Sequence, residues 1–237
     1  MKRKFSTISS IDLDKPHSWQ DPSFITLDID WCHDEVLAYS INLLEQADVS
    51  ATWFVTHDTP LLERLRANPK FELGIHPNFN FLLQGDSRNG KDAEEVVDRL
   101  IKIVPEAISI RSHSLLQSSR LMELFKRKGF RYECNSYQPV EPCKPSLLWN
   151  HLVKVPHFWE DDFSLLYGVD LAIPEDGLTV YDFHPIHVFL NSPDMNIYNQ
   201  SRKCHNFPEK LQKYRCDSTG VCNWFIELIS MEYSNEA

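Results

Sequence analysis

Short apolar, β-branched segments alternate with amphipathic segments along most of the chain, and this alternation restricts the fold more than any other feature. Repeated strand and helix segments of this kind indicate parallel strands joined by helical crossovers, and therefore an α/β fold. The predicted strands are 24–30, 49–55, 71–75, 107–111, 130–134, 152–155 and 178–183, and the predicted helices are 34–45, 60–65, 92–104, 118–128 and 221–231.

The pattern runs through the chain without a linker, a repeat or a low-complexity segment. Residues 1–237 are therefore predicted to form a single domain. Residues 1–20 precede the first predicted strand and are expected to be an N-terminal extension. Residues 191–237 have loop character at first and helical periodicity at the end, so we expect an irregular cover followed by a C-terminal helix.

The charge of the chain argues against two classes of partner. Asp and Glu number 34 and Lys and Arg 24, which gives a net charge of −10 at pH 7 without a basic stripe. Such a chain is poorly suited to the phosphates of nucleic acid or to an anionic membrane surface. No apolar run reaches the roughly 18 residues of a membrane span. The start of the chain lacks the apolar stretch of a secretion signal, so a cytoplasmic location is predicted.

Titratable side chains follow the predicted strands at their carboxyl ends. Asp28 and Asp30 end the first strand, Arg111 ends the fourth, and His184 follows the last. In a parallel barrel these ends share one rim, where each strand adds a side chain to a common site. Alternation along a strand also predicts that Asp28 and Asp30 face the same side. The other polar residues at strand ends are His76, His113, Asn135, His157, Glu160, Asp161, Asp162 and His187.

The paired carboxylates predict a metal site. Two neighbouring carboxylates repel each other unless a cation or an arginine balances their charge. A carboxylate and an imidazole are typical ligands of a zinc-like divalent ion, so Asp30 and His76 are predicted ligands. Asn80 is the predicted third ligand. Other residues that could compete are Asn78 and His113 and, although both are expected rather to flank or cap the next helix, Cys32 and His33.

Short motifs follow one another in a fixed order between about residues 24 and 190. They are TLDID at 26–30, ATWF at 51–54, HPNFN at 76–80, RSHS at 111–114, WEDD at 159–162 and FHP at 183–185.

In kind and order these motifs resemble those of the polysaccharide deacetylase (NodB homology) family, and in particular the subgroup linked to lipopolysaccharide or capsule (O-antigen) sugars. The first motif resembles T-F-D-D with one residue inserted. The second resembles H-S/T-x-x-H with Asn80 in place of the second histidine. The resemblance implies a distorted (β/α)7-type barrel with parallel strands and outer helices. It also implies metal-dependent removal of an N-acetyl group from an acetamido sugar, with zinc as the expected ion.

The resemblance further implies a role for each motif residue in amide hydrolysis. Asp28 is the predicted base that accepts the proton of the attacking water. Arg111 is expected to hold this carboxylate, while Asp161 or Asp162 orients the guanidinium. His184 is the predicted acid that protonates the departing sugar nitrogen.

Residues near the rim are candidates for binding the acetylated amino sugar. Those that could stack on a sugar ring are Trp159, Trp31 and Tyr137. Those that could hydrogen-bond the sugar hydroxyls, or support the site from behind, are His113, Asn135 and His187.

Two other functions stay open at the level of sequence. A barrel of this class could hydrolyse a non-sugar amide, because the fold does not fix the substrate. A catalytically silent sugar-binding relative is the second alternative, and Asn80 in place of a histidine supports it. The presence of both a candidate base and a candidate acid argues against a silent protein.

Overall fold

The computed structural model describes residues 4–139, 141, 143–174 and 176–231. Its strands are β1 (Phe5–Ser6), β2 (Ser23–Asp28), β3 (Ala51–Val55), β4 (Phe71–Ile75), β5 (Ser109–Ile110), β6 (Tyr132–Glu133), β7 (Ser146–Leu147), β8 (Val153–Lys154), β9 (Trp159–Glu160) and β10 (Thr179–Phe183). Its α-helices are α1 (His17–Gln20), α2 (Asp34–Ala47), α3 (Leu61–Ala67), α4 (Asn80–Leu83), α5 (Ala93–Ile103), α6 (Ser119–Arg127), α7 (Asp161–Tyr167), α8 (Pro185–Leu190), α9 (Met195–Ser201), α10 (Pro208–Leu211) and α11 (Val221–Ser230).

The strands form one curled sheet in the order β7-β8-β6-β5-β4-β3-β2-β10-β9, with β1 paired to β2. The pairings along this order are parallel except for β7 with β8. The two ends of the order approach each other, because β8 and β9 belong to one short stretch of chain and Tyr137 pairs with His157 beside it. Helices flank the curled sheet. The predicted α/β class with parallel strands and outer helices is confirmed.

Alternate residues of the central strands face opposite sides of the sheet. On β2, Ile25 and Leu27 belong to the apolar layer beneath the helices, whereas Phe24 belongs to the apolar cluster inside the barrel. Thr26 and Asp28 share the inner face with Phe24, and both contact the interior arginine described below. The inner face of this strand therefore changes from apolar to charged toward its carboxyl end.

The helices bury their apolar stripes against the outer face of the sheet, as their periodicity predicts. Helix α2 begins after His33, whose ring nitrogen accepts a hydrogen bond from the Glu35 backbone, so the expectation that His33 caps this helix is confirmed. Helix α5 begins after Asp92, whose carboxylate accepts from the Glu95 backbone. The buried stripe of α2 is Val36, Leu37, Ile41 and Leu44.

The residues before β2 close the amino-terminal end of the barrel. Ile8, Ile11 and Trp19 are buried in the inner apolar cluster. The Ile8 backbone N–H donates to Thr52 Oγ1 at 3.0 Å, and the Tyr132 hydroxyl donates to the Ile11 carbonyl at 2.9 Å. The predicted N-terminal extension thus packs as part of the domain, while its residues 1–3 lie outside the described residues.

Residues 191–220, here called the cover, lie between α8 and α11 and contain α9 and α10. Asn191 ends α8 in a left-handed conformation, and its side-chain nitrogen donates to the Cys216 and Ser218 carbonyls at 2.8 Å each. A Cβ atom at Gly220 would lie 2.3 Å from the Asn191 carbonyl oxygen, so only glycine permits this approach. These hydrogen bonds and this close approach hold the two ends of the cover together. Residues 232–237 of the predicted C-terminal segment lie outside the described residues.

Among the described residues, none of the helices has the length and apolar character that crossing a bilayer requires.

Candidate active site

The predicted convergence at one rim is present in the structure. Asp28 is the last residue of β2, His76 follows β4, Arg111 follows β5, and His184 follows β10. Because these strands run parallel and are neighbours or near neighbours in the sheet, their carboxyl ends meet at the same end of the barrel.

Three donor atoms at this rim form a triangle with equal sides. Asp30 Oδ1 lies 3.3 Å from His76 Nε2 and 3.3 Å from His113 Nδ1, and the two nitrogens lie 3.3 Å apart. Tetrahedral ligands about 2.0 Å from a zinc ion are separated by about 3.3 Å. Asp30 Oδ1 is buried and has no hydrogen-bond partner of good geometry among the described residues. The donor set and its spacing therefore fit a zinc-like cation.

The backbone conformation that brings Asp30 to this triangle differs from the predicted one. The first strand ends at Asp28 rather than continuing to Asp30, because Asp30 and Trp31 have positive φ angles of 35° and 53°. Such angles are uncommon for residues other than glycine. The chain turns here, and the Trp31 backbone N–H donates to Thr56 Oγ1 at 3.1 Å. The carboxylates of Asp28 and Asp30 both lie close to His76. The prediction that they are alternate residues of one strand is wrong, because the strand ends at Asp28.

The carboxylates of Asp28 and Asp30 favour positively charged groups at this end of the barrel. Burial opposes the charged form of Asp30, but adjacent His113 and His76 outweigh it and hold the pKa of Asp30 well below 3.8. Burial likewise opposes the charged form of His76, but Asp28 and Asp30 raise the pKa of this imidazole above 6.5.

The structure brings His113, rather than the predicted Asn80, into the triangle with Asp30 and His76. Asn80 begins the short helix α4, and its side-chain nitrogen donates to Ser114 Oγ at 2.9 Å. His113 lies directly beyond β5, at the start of a 3-10 turn in which Ser114 also has a positive φ. The geometry therefore favours the alternative His113 over Asn80 as the third ligand.

A buried arginine holds Asp28 in place. Arg111 Nη1 donates to Asp28 Oδ1 at 3.0 Å and also to Asp182 Oδ1, while Nη2 donates to Thr26 Oγ1 at 3.0 Å. Burial disfavours the charged guanidinium, but Asp182 and Asp28 outweigh this and raise the pKa of Arg111 above its ordinary value. The contact between Arg111 and Asp28 agrees with the predicted role of the arginine.

The interior of the barrel is shaped to hold this arginine. A Cβ atom at Gly74 would lie 2.6 Å from Ser109 Oγ and 2.8 Å from the Phe54 ring, so the absent side chain leaves room for that ring. The Arg111 guanidinium stacks over Phe54 at 4.4 Å from the ring centroid. An aromatic face favours a desolvated cation, so the ring supports Arg111 from below.

Asp161 holds His184 and does not orient Arg111. Its Oδ1 lies 2.7 Å from His184 Nδ1, and its Oδ2 accepts from the His184 backbone N–H at 2.7 Å. Both oxygens of this fully buried carboxylate are therefore used by one histidine. The other ring nitrogen, Nε2, lies 3.8 Å from Asp30 Oδ2 and faces the ligand triangle.

Burial opposes the charged form of His184, but Asp161 and Asp162 outweigh it and hold the pKa of His184 well above 6.5. These two acids therefore favour the charged imidazole, which can donate a proton from Nε2.

Asp162 binds a different histidine. Its Oδ1 lies 2.8 Å from His187 Nε2, and His187 Nδ1 lies 3.0 Å from Ser192 Oγ. Burial opposes its charge, but His184 and His187 lower the pKa of Asp162 to about 2. The structure thus gives Asp161 and Asp162 different histidine partners, whereas the sequence left them as alternatives for a single role. The predicted role of either one in orienting Arg111 is wrong.

Asp182 takes that role, which the sequence motifs did not predict. It lies within β10, two residues before His184, and is fully buried beside Arg111. Alternate residues of a strand share a face, so an acid two positions before a predicted site histidine was an available signal.

The predicted sugar-binding residues divide into buried and exposed groups. Trp159 is only 1% exposed and packs on Phe183 and Trp224, so its predicted stacking on a sugar is wrong. Asn135 is buried as well, and it accepts a hydrogen bond from the Ser112 backbone, which fits a supporting role. Tyr137 stacks on Phe163, whereas Trp31 is 39% exposed.

A cavity of about 230 Å³ opens over the ligand triangle. The part of its lining that comes from the cover could not be predicted from the sequence, because 191–220 shows no regular periodicity. The lining residues are Asp30, Trp31, Cys32, His113, Asp162, His184, Ile186, His187, Met195, Tyr198 and His205.

Comparison with known families agrees with this site. The profile of the WbmS-like polysaccharide deacetylases matches residues 25–202. The chain belongs to this polysaccharide deacetylase family. The predicted family and the predicted deacetylase enzyme class are confirmed.

The chain is similar to two solved structures of proposed polysaccharide deacetylases. WbmS of Bordetella bronchiseptica, described as a proposed polysaccharide deacetylase involved in O-antigen biosynthesis, is 42% identical, with 96% of this chain and 97% of that chain covered and a TM-score of 0.91. A proposed polysaccharide deacetylase from Mycobacterium smegmatis is 16% identical over 69% of this chain and 77% of that chain, with a TM-score of 0.46. No curated protein matches the chain.

Proposed function

We propose that this deacetylase removes the N-acetyl group from an acetamido sugar of a surface glycan or its precursor, and that it depends on a zinc-like divalent ion. The triangle of Asp30, His76 and His113 carries this proposal, because its 3.3 Å sides match the ligand spacing of a tetrahedral ion. The similarity to WbmS, described for O-antigen biosynthesis, supports a glycan substrate. The cytoplasmic location stays a prediction.

The ion would be held by Asp30, His76 and His113. Bound there, it supplies Lewis-acid polarisation of the amide carbonyl and of the attacking water. The donor set of one carboxylate and two imidazoles is typical of zinc in hydrolases.

Asp28 is the base in this scheme. Arg111 holds its Oδ1, while its Oδ2 lies 3.4 Å from His76 Nε2 and faces the triangle. Oδ2 accepts the proton of the water as its oxygen attacks the acetyl carbon. Because Arg111 is itself fixed by Asp182 and Phe54, the carboxylate keeps its orientation without a solvent contact.

His184 is the acid. Its Nδ1 is bound to Asp161, so Nε2 is the nitrogen that gives its proton to the sugar nitrogen as the carbon–nitrogen bond breaks. The products are acetate and a free amino sugar. Asp161 stabilises the charged imidazole before transfer and fixes the orientation of the ring.

Acetate release by the purified full-length chain tests this proposal. The substrate panel contains acetamido sugars in nucleotide-linked, lipid-linked and polymeric form, with an acetylated lysine peptide as a non-sugar amide. We expect acetate from at least one sugar, none after treatment with a chelator, and recovery on adding zinc. The Asp28→Asn variant is the matched control, and it is expected to bind zinc without turnover.

Two results would contradict the proposal. Acetate release from a sugar that persists without any divalent ion would remove the metal from the scheme. A chain that binds both zinc and sugars but releases no acetate would be the silent sugar-binding relative.

A further inference from the structure

The cavity over the ligand triangle has walls of different origin. Its floor is formed by residues at the strand ends, including Asp30 and His184, and one side is formed by Trp31 on the turn after β2. Another part of the lining comes from the cover, through Tyr198 on α9 and His205. The cover therefore closes a side of the site that the strand ends alone would leave open.

The wall that the cover supplies is fixed by contacts. The Tyr198 ring lies 5.0 Å from the His187 ring and 4.9 Å from the His205 ring. His205 Nε2 lies 3.0 Å from the hydroxyl of Ser201, which is buried. His187 is in turn held by Asp162. Together with the pinned ends of the cover, these contacts preform this side of the cavity before a ligand enters.

Trp31 and Tyr198 bring complementary chemistry to the lining of the cavity. The Trp31 indole is 39% exposed, its ring packs edge-on against His113, and its turn is held by a backbone hydrogen bond to Thr56. Tyr198 brings a phenolic hydroxyl to the lining, and its ring is partly buried. A sugar ring has an apolar C–H face and polar edges, so an exposed indole and a hydroxyl match it.

The size of the cavity limits what can bind. Its volume of about 230 Å³ is below the roughly 300–1,000 Å³ of clefts that hold drug-sized ligands. A sugar within a polymer needs space for a neighbouring sugar on both sides. A cavity of this volume has room for one sugar ring.

We infer that the site accepts a singly linked acetamido sugar, bound by Trp31 and Tyr198, and excludes sugars in the interior of a polymer. This inference rests on the proposed function. Such a sugar is either the terminal unit of a glycan or a single unit carried on a phosphate-linked carrier. Trp31 and Tyr198 are then specificity-determining residues that sequence motifs did not reveal.

Binding and turnover of three probes test this inference separately from the proposed hydrolysis. The probes are the methyl glycosides of N-acetylglucosamine and N-acetylgalactosamine, and the hexamer of N-acetylglucosamine. Affinity is measured calorimetrically with the zinc-loaded full-length chain, and acetate is counted per probe molecule. The variants are Trp31→Ala, Tyr198→Ala and the milder Tyr198→Phe, and the control is Trp149→Ala, an exposed tryptophan that is not among the cavity-lining residues.

We expect at least one methyl glycoside to bind, and we expect Trp31→Ala and Tyr198→Ala each to weaken it about 3- to 10-fold. Trp149→Ala is expected to bind like the parent chain. The hexamer should bind no more tightly than the corresponding glycoside and should lose acetate only from a terminal unit. If Tyr198→Ala fails to fold, Tyr198→Phe tests the hydroxyl alone.

Binding of the hexamer alone, acetate loss along its whole length, or binding unaffected by both alanine variants would overturn the inference. So would the absence of binding by every single-ring probe. Glycoside binding with the expected losses but without acetate would support the pocket and reject the hydrolysis, so the two claims fail separately.

Discussion

The two ends of the barrel are built from the same strands, but the interior is apolar at one end and charged at the other. At the amino-terminal end, Ile8, Ile11 and Trp19 fill the interior with apolar side chains. At the carboxyl-terminal end, the interior holds charged groups that are almost equally buried, among them Asp28 and Arg111. One end is closed by the start of the chain, and the other remains open to a cavity.

This difference shows where the fold gains stability and where it accepts a cost. Burying apolar side chains stabilises the closed end by about 25 cal/mol per Å² of apolar surface. Burying a charge is costly unless a partner compensates it, and at the open end Asp28, Asp161 and Asp162 are each paired with an arginine or a histidine. Substitutions at the two ends should therefore affect different measurements.

The largest effect is expected at the open end from His184→Ala. Removing the proton donor should lower kcat by about 10²- to 10⁴-fold. Zinc affinity should stay close to that of the parent chain, because His184 is outside the ligand triangle. Parallel acetate assays and zinc titrations check this, and an equal loss of both would contradict the assignment of His184 as acid.

A smaller effect, on stability rather than on activity, is expected at the closed end from Ile8→Ala. This substitution leaves a cavity in the interior cluster and should lower the free energy of unfolding by about 2–4 kcal/mol. The folded fraction should keep its kcat and its zinc affinity. Urea unfolding measures the change, with Leu83→Ala, an exposed aliphatic position, as the control expected to stay within about 0.5 kcal/mol. A loss of activity without a loss of stability would contradict the claim that the closed end serves stability and the open end serves activity.

The smallest effect concerns Glu160, a buried acid behind the site. Burial and Asp182 raise the pKa of Glu160 to about 8, while burial and Arg111 lower the pKa of His157 to about 3. The two groups lie 2.8 Å apart, so the protonated acid donates to the neutral imidazole. The folded chain binds this proton more tightly than the unfolded chain, whose carboxyl has the ordinary pKa of 4.5. The stabilisation is therefore complete below pH 4.5 and is lost as the pH rises toward 8.

Glu160→Gln keeps a donor for His157 but cannot ionise. Its free energy of unfolding should exceed that of the parent chain by about 1–3 kcal/mol at pH 8 and match it near pH 4.5. Urea unfolding at both pH values measures this difference. A variant that is less stable than the parent chain at pH 8 would show that the buried acid is ionised.

The parallel strands and the helices between them could be predicted from the sequence, because hydrophobic periodicity reports which face of each element is buried. The strand 71–75 was placed at its observed bounds. The short strands β1, β7 and β9 were missed, because none of them lies within a longer apolar, β-branched run of the kind that surrounds β5, β6 and β8. The role of Ile8 was missed for a related reason, since an isolated apolar residue does not reveal a distant barrel interior.

For the site, sequence order predicted which residues meet at the rim but not how they pair. Asp161 and Asp162 are adjacent in the chain, yet they contact different histidines because the first turn of α7 points them in different directions. His113 reaches the ligand triangle through a turn with positive φ angles, which motif spacing does not encode. Tyr198 comes from the cover, where tertiary contacts rather than periodicity fix the backbone.

The most direct test of the metal centre is a zinc titration of the parent chain, His113→Ala and Asn80→Ala, measured against a competing chelator. We expect one ion per parent chain, an affinity lowered by about 100-fold or more in His113→Ala, and a change below about threefold in Asn80→Ala. Retention of the ion by His113→Ala together with its loss from Asn80→Ala would contradict the triangle of Asp30, His76 and His113.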